Sequence, residues 1–305
     1  MRESHRLRWL HLNHTRRRNI MANGQHHGFK RVWFITGASR GLGALIAEAA
    51  LADGNAVVAT GRNVSAIVER LGESPALLPV ALDVTDEAQA KAAVQAALDT
   101  FGRIDVLVNN AGFGLLGAVE ESADRDVRRM YDTNVFGLLN VTRAVLPTMR
   151  ANRAGHVINM SSIGGYRAAA GFGLYSSTKF AVEGITEALH AELQPLGIHA
   201  TVVEPGYFRT DFLDASSLVV APTVIDDYDA TSGAVRRKAA QLNHNQPGDP
   251  TKLAAAMIAL VDARTPPLRL PLGTDTLAAI AAKHAYVAQE TQTWHALSAS
   301  TDFAA

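Results

Sequence analysis

Val32-Trp33-Phe34-Ile35-Thr36-Gly37-Ala38-Ser39-Arg40-Gly41-Leu42-Gly43 is the stretch on which the fold turns. An apolar, β-favouring run from Val32 to Thr36 leads straight into a glycine-rich turn. A helical pattern then starts near Gly41 and stops before Gly54. Gly37, Gly41 and Gly43 permit the tight turn and let backbone N–H groups approach a phosphate at the positive end of the helix. A glycine triplet alone is a weak signal, since any tight strand-to-helix turn can use one. Its place between a strand and a helix supplies the context that gives it meaning.

The same alternation continues outward from this turn. Further strands are expected at Ala56 to Thr60, Leu77 to Leu82, Val106 to Val108, His156 to Met160, Ala200 to Glu204 and Leu268 to Leu270. Between the third and fourth strands, Asp86 to Phe101 reads as an alanine-rich helix. Thr85 is the expected cap, Asp86 and Glu87 suit the positive end, and Gly102 closes the helix. Strands alternating with helices predict an α/β fold: one doubly wound parallel sheet between two helix layers, as a single domain over residues 31–305. Only residues 206–249 break the rhythm. That segment carries Pro222, Pro247 and Arg236-Arg237-Lys238, and its length marks it as a lid or binding insertion.

Composition narrows the function classes. The 305 residues are 48% hydrophobic, enough for a sizeable core. Lys plus Arg and Asp plus Glu number 29 each, so no strong field favours nucleic acid or an anionic membrane. The absence of cysteine excludes disulfides, thiolate zinc sites and cysteine nucleophiles, and no metal is expected. No apolar run reaches the roughly 18 residues of a membrane span, so a soluble, cytoplasmic protein is expected. Residues 1–30 differ from the rest. Arg2, Arg6, Arg8, Arg16, Arg17 and Arg18 face a single acid before Met21, Glu3, and His26-His27 follow. This reads as a disordered basic extension, and Met21 is an alternative start.

The end of the second strand speaks to the choice of dinucleotide. NAD binders place an Asp or Glu there for the ribose 2′-hydroxyl, whereas an Arg accommodates a 2′-phosphate. Ala59-Thr60-Gly61-Arg62 has no acid and ends on an arginine, and Arg40 in the glycine loop adds a second cation. NADP(H) is the expected cofactor.

Tyr175-Ser176-Ser177-Thr178-Lys179 begins a helical pattern running to about Leu193. The i, i+4 spacing puts phenol and ammonium on one helix face. A free tyrosine titrates near pH 10, and a neighbouring cation favours the phenolate. Lys179 together with an oxidised nicotinamide is expected to lower it by about 2–3 units, roughly 3–4 kcal/mol. Ser162 lies thirteen positions earlier, at the end of the strand His156 to Met160. A hydroxyl there can donate to a carbonyl oxygen as charge develops on it. Ser161 is the rival, and the spacing to Tyr175 favours Ser162.

With these motifs in order, the chain resembles the short-chain dehydrogenase/reductase family, in its compact Rossmann-fold branch, over about Arg31 to Gly273. The resemblance implies a cofactor cradle of Gly37, Ser39, Arg40, Gly41, Leu42 and Gly43, joined by Arg62. Asp83-Val84 matches the adenine-binding position. Asn110, Ala111 and Gly112, after Asn109, match the motif that stabilises the central sheet beside the cofactor. Pro205 and Gly206, with Phe208 and Thr210, match the nicotinamide-side loop. The resemblance also implies catalytic roles. Tyr175 exchanges the proton, Ser162 holds the carbonyl, Lys179 binds the nicotinamide ribose, and Asn134 closes a proton relay.

Among subgroups, the chain is similar to hydroxysteroid and retinol dehydrogenases. Phe113-Gly114-Leu115-Leu116-Gly117, Tyr207-Phe208, Phe212-Leu213, Tyr166 and Phe172 would form an apolar wall. Pro266 to Gly273 resembles the same group. The expected substrate is a small-molecule carbonyl or alcohol, apolar rather than polar. Two alternatives stand: a 3-oxoacyl-carrier-protein reductase, or a non-catalytic NADP(H)-sensing regulator. The resemblance further implies a homodimer or homotetramer built on helices around residues 120–150 and 175–193.

Overall fold

Val32–Ile35 is buried at every position and forms β1, the strand from which the sheet grows in both directions. The computed structural model describes residues 28–303, and Arg31 onward forms one unit. Of the expected basic extension, residues 1–27 lie outside the described residues.

After β1 come α1 (Gly41–Ala52), β2 (Ala56–Gly61), α2 (Val64–Leu71), β3 (Leu77–Ala81), α3 (Glu87–Phe101) and β4 (Val106–Asn109). A short β5 (Gly114–Leu116) precedes α4 (Asp124–Tyr131), a π-helical turn at Asp132–Gly137, and α5 (Leu138–Asn152). Then follow β6 (Gly155–Met160), α6 (Ile163–Tyr166), α7 (Gly173–Leu193) and β7 (Ile198–Pro205). The chain ends with β8 (Leu218–Val220), α8 (Ala234–Leu242), α9 (Pro250–Asp262), β9 (Arg269–Leu272) and α10 (Thr274–Ala299).

Seven strands make one sheet in the order β3-β2-β1-β4-β6-β7-β9, every pair parallel. The expected doubly wound fold is present, and every expected strand lies within a residue or two of its place. The order reverses between β1 and β4, so a crevice opens at their carboxyl ends. On one face, α1 and α9 pack over Trp33, Ile35, Val57 and Val108. Ala44, Ala47 and Ala50 of α1 are buried, and their small side chains let this helix lie close to the sheet. On the other face, Leu138 and Val182 pack on Val202.

One helix start differs from expectation. Asp86, not Thr85, caps α3: its Oδ1 accepts from Ala88 N at 2.9 Å and Gln89 N at 3.0 Å. Thr85 Oγ1 instead donates to Asp83 Oδ1 at 2.7 Å. Asp86 has the extended backbone of a cap, and Gly102 closes the helix in the left-handed region as expected.

A buried imidazole couples the sheet to pH. Thr201 Oγ1 donates its one proton to Pro267 O at 2.6 Å, so at 2.9 Å it accepts from His156 Nε2–H. His156 is therefore the neutral Nε2–H tautomer. Burial first, and the neighbouring His199 second, push its pKa down to about 3. The unfolded chain takes up a proton near pH 6.5 that the folded chain refuses. Stability is thus full above that value and falls as pH drops from there towards 3. By pH 5 the loss from this group is expected to be about 2 kcal/mol. Urea unfolding of the protein and of His156→Val at pH 7 and pH 5 checks this. The variant should lose that much less between the two pH values, and equal losses would refute the assignment.

Candidate active site

The crevice begins at the glycine turn. Gly37 and Gly41 adopt φ of +65° and +56°, where a side chain is strained. A Cβ on Gly43 would lie 2.3 Å from Gly37 O, so only glycine lets α1 start this close to the turn. Asn110 braces it from just beyond β4: its Nδ2 donates to Thr36 O at 3.0 Å and Gly37 O at 3.2 Å. Thr36 Oγ1 in turn accepts from Asn110 N at 2.9 Å and Ala111 N at 3.0 Å. Asn109 Nδ2 ties three elements together through Thr142 Oγ1 and Asn159 Oδ1, both at 2.9 Å. The asparagine pair thus builds the phosphate loop and joins the sheet strands at once.

Ser39, Leu42, Arg62, Asp83, Val84 and Gly112 all line one cleft of about 840 Å³ that runs on to Tyr175, Lys179 and Thr210. Arg62 stands exposed at the end of β2. Arg40 lines the same cleft, and its Nη2 also donates to Ser216 O at 2.6 Å, which bridges the glycine loop to the insertion.

Tyr175 and Lys179 project from the first turns of α7, which starts at Gly173, two residues before Tyr175. Lys179 Nζ donates to Met160 O at 2.8 Å and sits 5.8 Å from the Tyr175 ring centroid. Ser162 follows at the β6 end, caps α6 through Gly164 N at 3.1 Å, and hydrogen-bonds with Tyr175. Ser161 is turned elsewhere: a Cβ on Gly165 would lie 2.2 Å from Ser161 Oγ and 2.9 Å from Glu183 Oε1. Burial pushes the Tyr175 phenol up to about 12, with the Ser162 bond opposing. Burial likewise pushes Lys179 down to about 8, with Glu183 opposing. The expected lowering of the phenol belongs to Lys179 together with an oxidised nicotinamide, and burial of the phenol works against it.

Asn134 sits in the π-helical turn between α4 and α5. Its Nδ2 donates to Phe113 O at 2.9 Å and Thr178 Oγ1 at 3.2 Å, and its Oδ1 accepts from Phe113 N at 3.1 Å. Such turns often mark functional sites, and the extra residue here aims Asn134 at α7.

The insertion is more ordered than its composition implies. β8 pairs with β5 in parallel, so the segment after β4 and the insertion form a two-stranded ribbon. Glu121, buried at the loop before α4, accepts from Ala118 N at 2.7 Å and Ile225 N at 3.0 Å and pairs with Arg236 on α8. These bonds, the Ile225 amide foremost, hold its carboxyl down at about 2. Tyr228 Oη adds a bond to Glu120 Oε2 at 2.7 Å. Glu121→Ala leaves two amides and a guanidinium unpartnered. It is expected to speed amide exchange over residues 218–242 by roughly tenfold or more, with β1 and β4 unchanged. Unchanged exchange in that segment would show that Glu121 is no latch.

The apolar wall is only partly as expected. Phe113, Phe172, Tyr207, Phe208, Phe212 and Leu213 line the cleft. Leu115 and Leu116 do not: they are buried in a cluster with Leu218 and Met130. Tyr166 is diverted too. Arg269 lies 5.6 Å over its ring and its hydroxyl bonds His284, so it packs against β9 and α10.

Residues 31–218 match the short chain dehydrogenase family. The chain belongs to this family. A curated relative, oxidoreductase BOA17 of Botryotinia fuckeliana, is 41% identical over 81% of this chain and 90% of its own. The 3-ketodihydrosphingosine reductase of Bacteroides thetaiotaomicron is 38% identical over 80% of this chain and 88% of its own. A solved short-chain dehydrogenase from Streptomyces avermitilis superposes with a TM-score of 0.83 at 39% identity, covering 89% of this chain and all of that one. The family fold binds a nicotinamide dinucleotide, and solved relatives have been captured with NADP+ and with NADH.

Against the family's motifs, this short-chain dehydrogenase adds residues that sequence reading missed. Asp275, at the start of α10, accepts from Tyr207 N at 2.8 Å and so clamps the loop after Pro205-Gly206. A Cβ on Gly206 would fall 2.1 Å from Asp275 Oδ1, which explains the glycine there. Gln246 is buried in the cleft wall and its Nε2 donates to Thr210 O at 3.2 Å. Nothing local in the sequence signals either residue. Beneath the site, Arg269 joins Glu183, Glu204 and Glu187, and burial pushes Glu183 well above the usual carboxylate range.

Proposed function

We propose that this short-chain dehydrogenase interconverts an apolar ketone or aldehyde and its alcohol with NADP(H), in a reducing compartment such as the cytoplasm. The observation that carries the reading is the meeting of the Tyr175 phenol, the Ser162 hydroxyl and the Lys179 ammonium in one cleft. Arg62 at the end of β2, with no acid beside it, supports NADP(H) over NAD(H). A reduced nicotinamide, when bound, supplies the hydride that reaches the carbonyl carbon. Ser162 donates a hydrogen bond to the carbonyl oxygen as negative charge gathers there. Tyr175 passes its phenolic proton to that oxygen, and the alcohol leaves. Lys179 holds the ribose side and favours the phenolate, and Asn134 holds the strand-end geometry through Phe113 and Thr178. Residues 206–249 form the lid, whose Tyr207, Phe208, Phe212 and Leu213 keep water from the reacting atoms.

The first test is NADPH consumption across a panel of carbonyl compounds of graded apolar area. Buried apolar contact contributes about 25 cal/mol per Å². kcat/KM should therefore rise with apolar area, a series in which 3-ketodihydrosphingosine, named for the Bacteroides relative, is one substrate to include. A rise with polarity instead would favour the acyl-carrier or small-carbonyl reading, and no turnover at all the sensing regulator. pH gives a second check. Reduction uses the protonated phenol, which burial stabilises, so it should be full at neutral pH and fade only on the alkaline side. Oxidation uses the phenolate and should rise with pH over the same range. Opposite slopes would remove Tyr175 from the proton transfer.

A further inference from the structure

α10 outruns the body on which it packs. In its first turns Thr276 and Ala279 are buried and Ile280 and Lys283 half-buried. At 3.6 residues per turn these four lie on one stripe about 100° wide, the usual width of a core-facing stripe. Seven and fourteen positions on, the same stripe continues as Val287, Glu290, Trp294 and Leu297, now in solvent. Val287 is 44% exposed, Trp294 61% and Leu297 60%. An ordinary surface helix ends its apolar stripe where its cover ends. This one carries it about three turns further, on a stretch too short to be a stable helix alone.

We propose that a second copy of this chain covers the stripe, through an antiparallel pairing of the two α10 helices about a two-fold axis near Val287. The two ionic side chains of the stripe, Lys283 and Glu290, have opposite signs and stand on either side of Val287. A two-fold there sets Lys283 of each copy against Glu290 of the other. It also sets Ile280 against Trp294, and Val287 against itself. Such an interface is self-complementary, as two-fold pairing demands. A parallel pairing would oppose like charges instead. Within one copy, Tyr286 Oη donates to Glu290 Oε1 at 2.5 Å and Lys283 Nζ lies 5.8 Å from the Tyr286 ring, which keeps both ionic groups along the stripe's edge. A stripe with balanced charge offers no attraction to anionic lipid headgroups. The surface is separate from the helices around residues 120–150 and 175–193, and the proposal is independent of the redox reading.

The test is the mass and dissociation constant of the full chain, measured by sedimentation across a dilution series. Val287→Glu, which places two carboxylates on the axis, should raise the dissociation constant on the order of tenfold or more while circular dichroism stays unchanged. Lys283→Glu and Glu290→Lys should each weaken association, and the double variant should restore it. A chain that stays single at every concentration overturns the proposal. So does an oligomer whose dissociation constant is indifferent to Val287→Glu, since its interface then lies elsewhere. Trp294 reports on the occupant once Trp9 and Trp33 are replaced by Phe, because the chain has three tryptophans. Its emission should shift red as the protein is diluted. Emission that shifts red only when residues 1–27 are removed overturns the proposal in favour of that segment. A blue shift of single copies on phosphatidylcholine–phosphatidylserine vesicles overturns it in favour of a membrane.

Discussion

Tyr175→Phe is expected to lower turnover by about 10²–10⁴ while dinucleotide affinity changes little. The phenylalanine keeps the ring contacts with Phe172 and Phe212, whose centroids lie 6.2 Å and 5.6 Å away, so the shape of the cleft survives. What disappears is the hydroxyl that hydrogen-bonds Ser162 and carries the proton. Lys179 keeps its bond to Met160 O, so the ribose side of the site is untouched. The loss should therefore fall on kcat, with KM for the dinucleotide nearly constant. Retention of a tenth or more of the activity would sink the proposed proton transfer. A matching loss of NADPH binding would instead show that the phenol serves the cofactor.

The second large effect is on the choice of dinucleotide. Gly61→Asp combined with Arg62→Ser should reverse a preference for NADPH. A charge-assisted hydrogen bond to a phosphate contributes about 1.5–3 kcal/mol, which is roughly tenfold to somewhat above a hundredfold in affinity. The substitution fits the structure: a Cβ on Gly61 would meet Ile67 Cδ1 at 3.5 Å and Ser39 at 3.7 Å, ordinary contacts. The new carboxylate would repel the 2′-phosphate and accept from a ribose hydroxyl. Comparing kcat/KM for NADPH and NADH before and after decides the matter. An unmodified enzyme that already prefers NADH would refute the assignment. Arg40→Ser separates its two roles. If Arg40 holds only the lid, through Ser216 O, dinucleotide preference should survive its loss.

The strand-turn-helix at residues 32–43, the alternation of patterns and the i, i+4 pair Tyr175 and Lys179 were legible in the sequence because each is local. A periodicity of two or 3.6, a glycine that frees the backbone and a one-turn spacing all express their physics within a dozen residues. They determined the doubly wound sheet, the glycine turn at the first strand end, and the Tyr175 phenol one turn from the Lys179 ammonium. The preference for Ser162 over Ser161 rested on its spacing to Tyr175, thirteen positions on.

Tertiary structure decided what depends on residues far apart in the chain. Arg236 lies 115 positions from Glu121, and Asp275 lies 68 from Tyr207, so no window on the sequence could join either pair. Tyr166 looked like a wall of the cleft by its place near Ser162, but Arg269 and His284 draw it to the other side. Arg40 lines the cleft from the glycine loop, and it also donates to a carbonyl 176 positions away, a tie that no local pattern shows. The Tyr175 phenol is the sharpest case. The sequence placed a cation one turn away, which lowers a pKa, while only the fold supplies the burial, which raises it. Burial acts through everything packed around the phenol, which no spacing along the chain reveals.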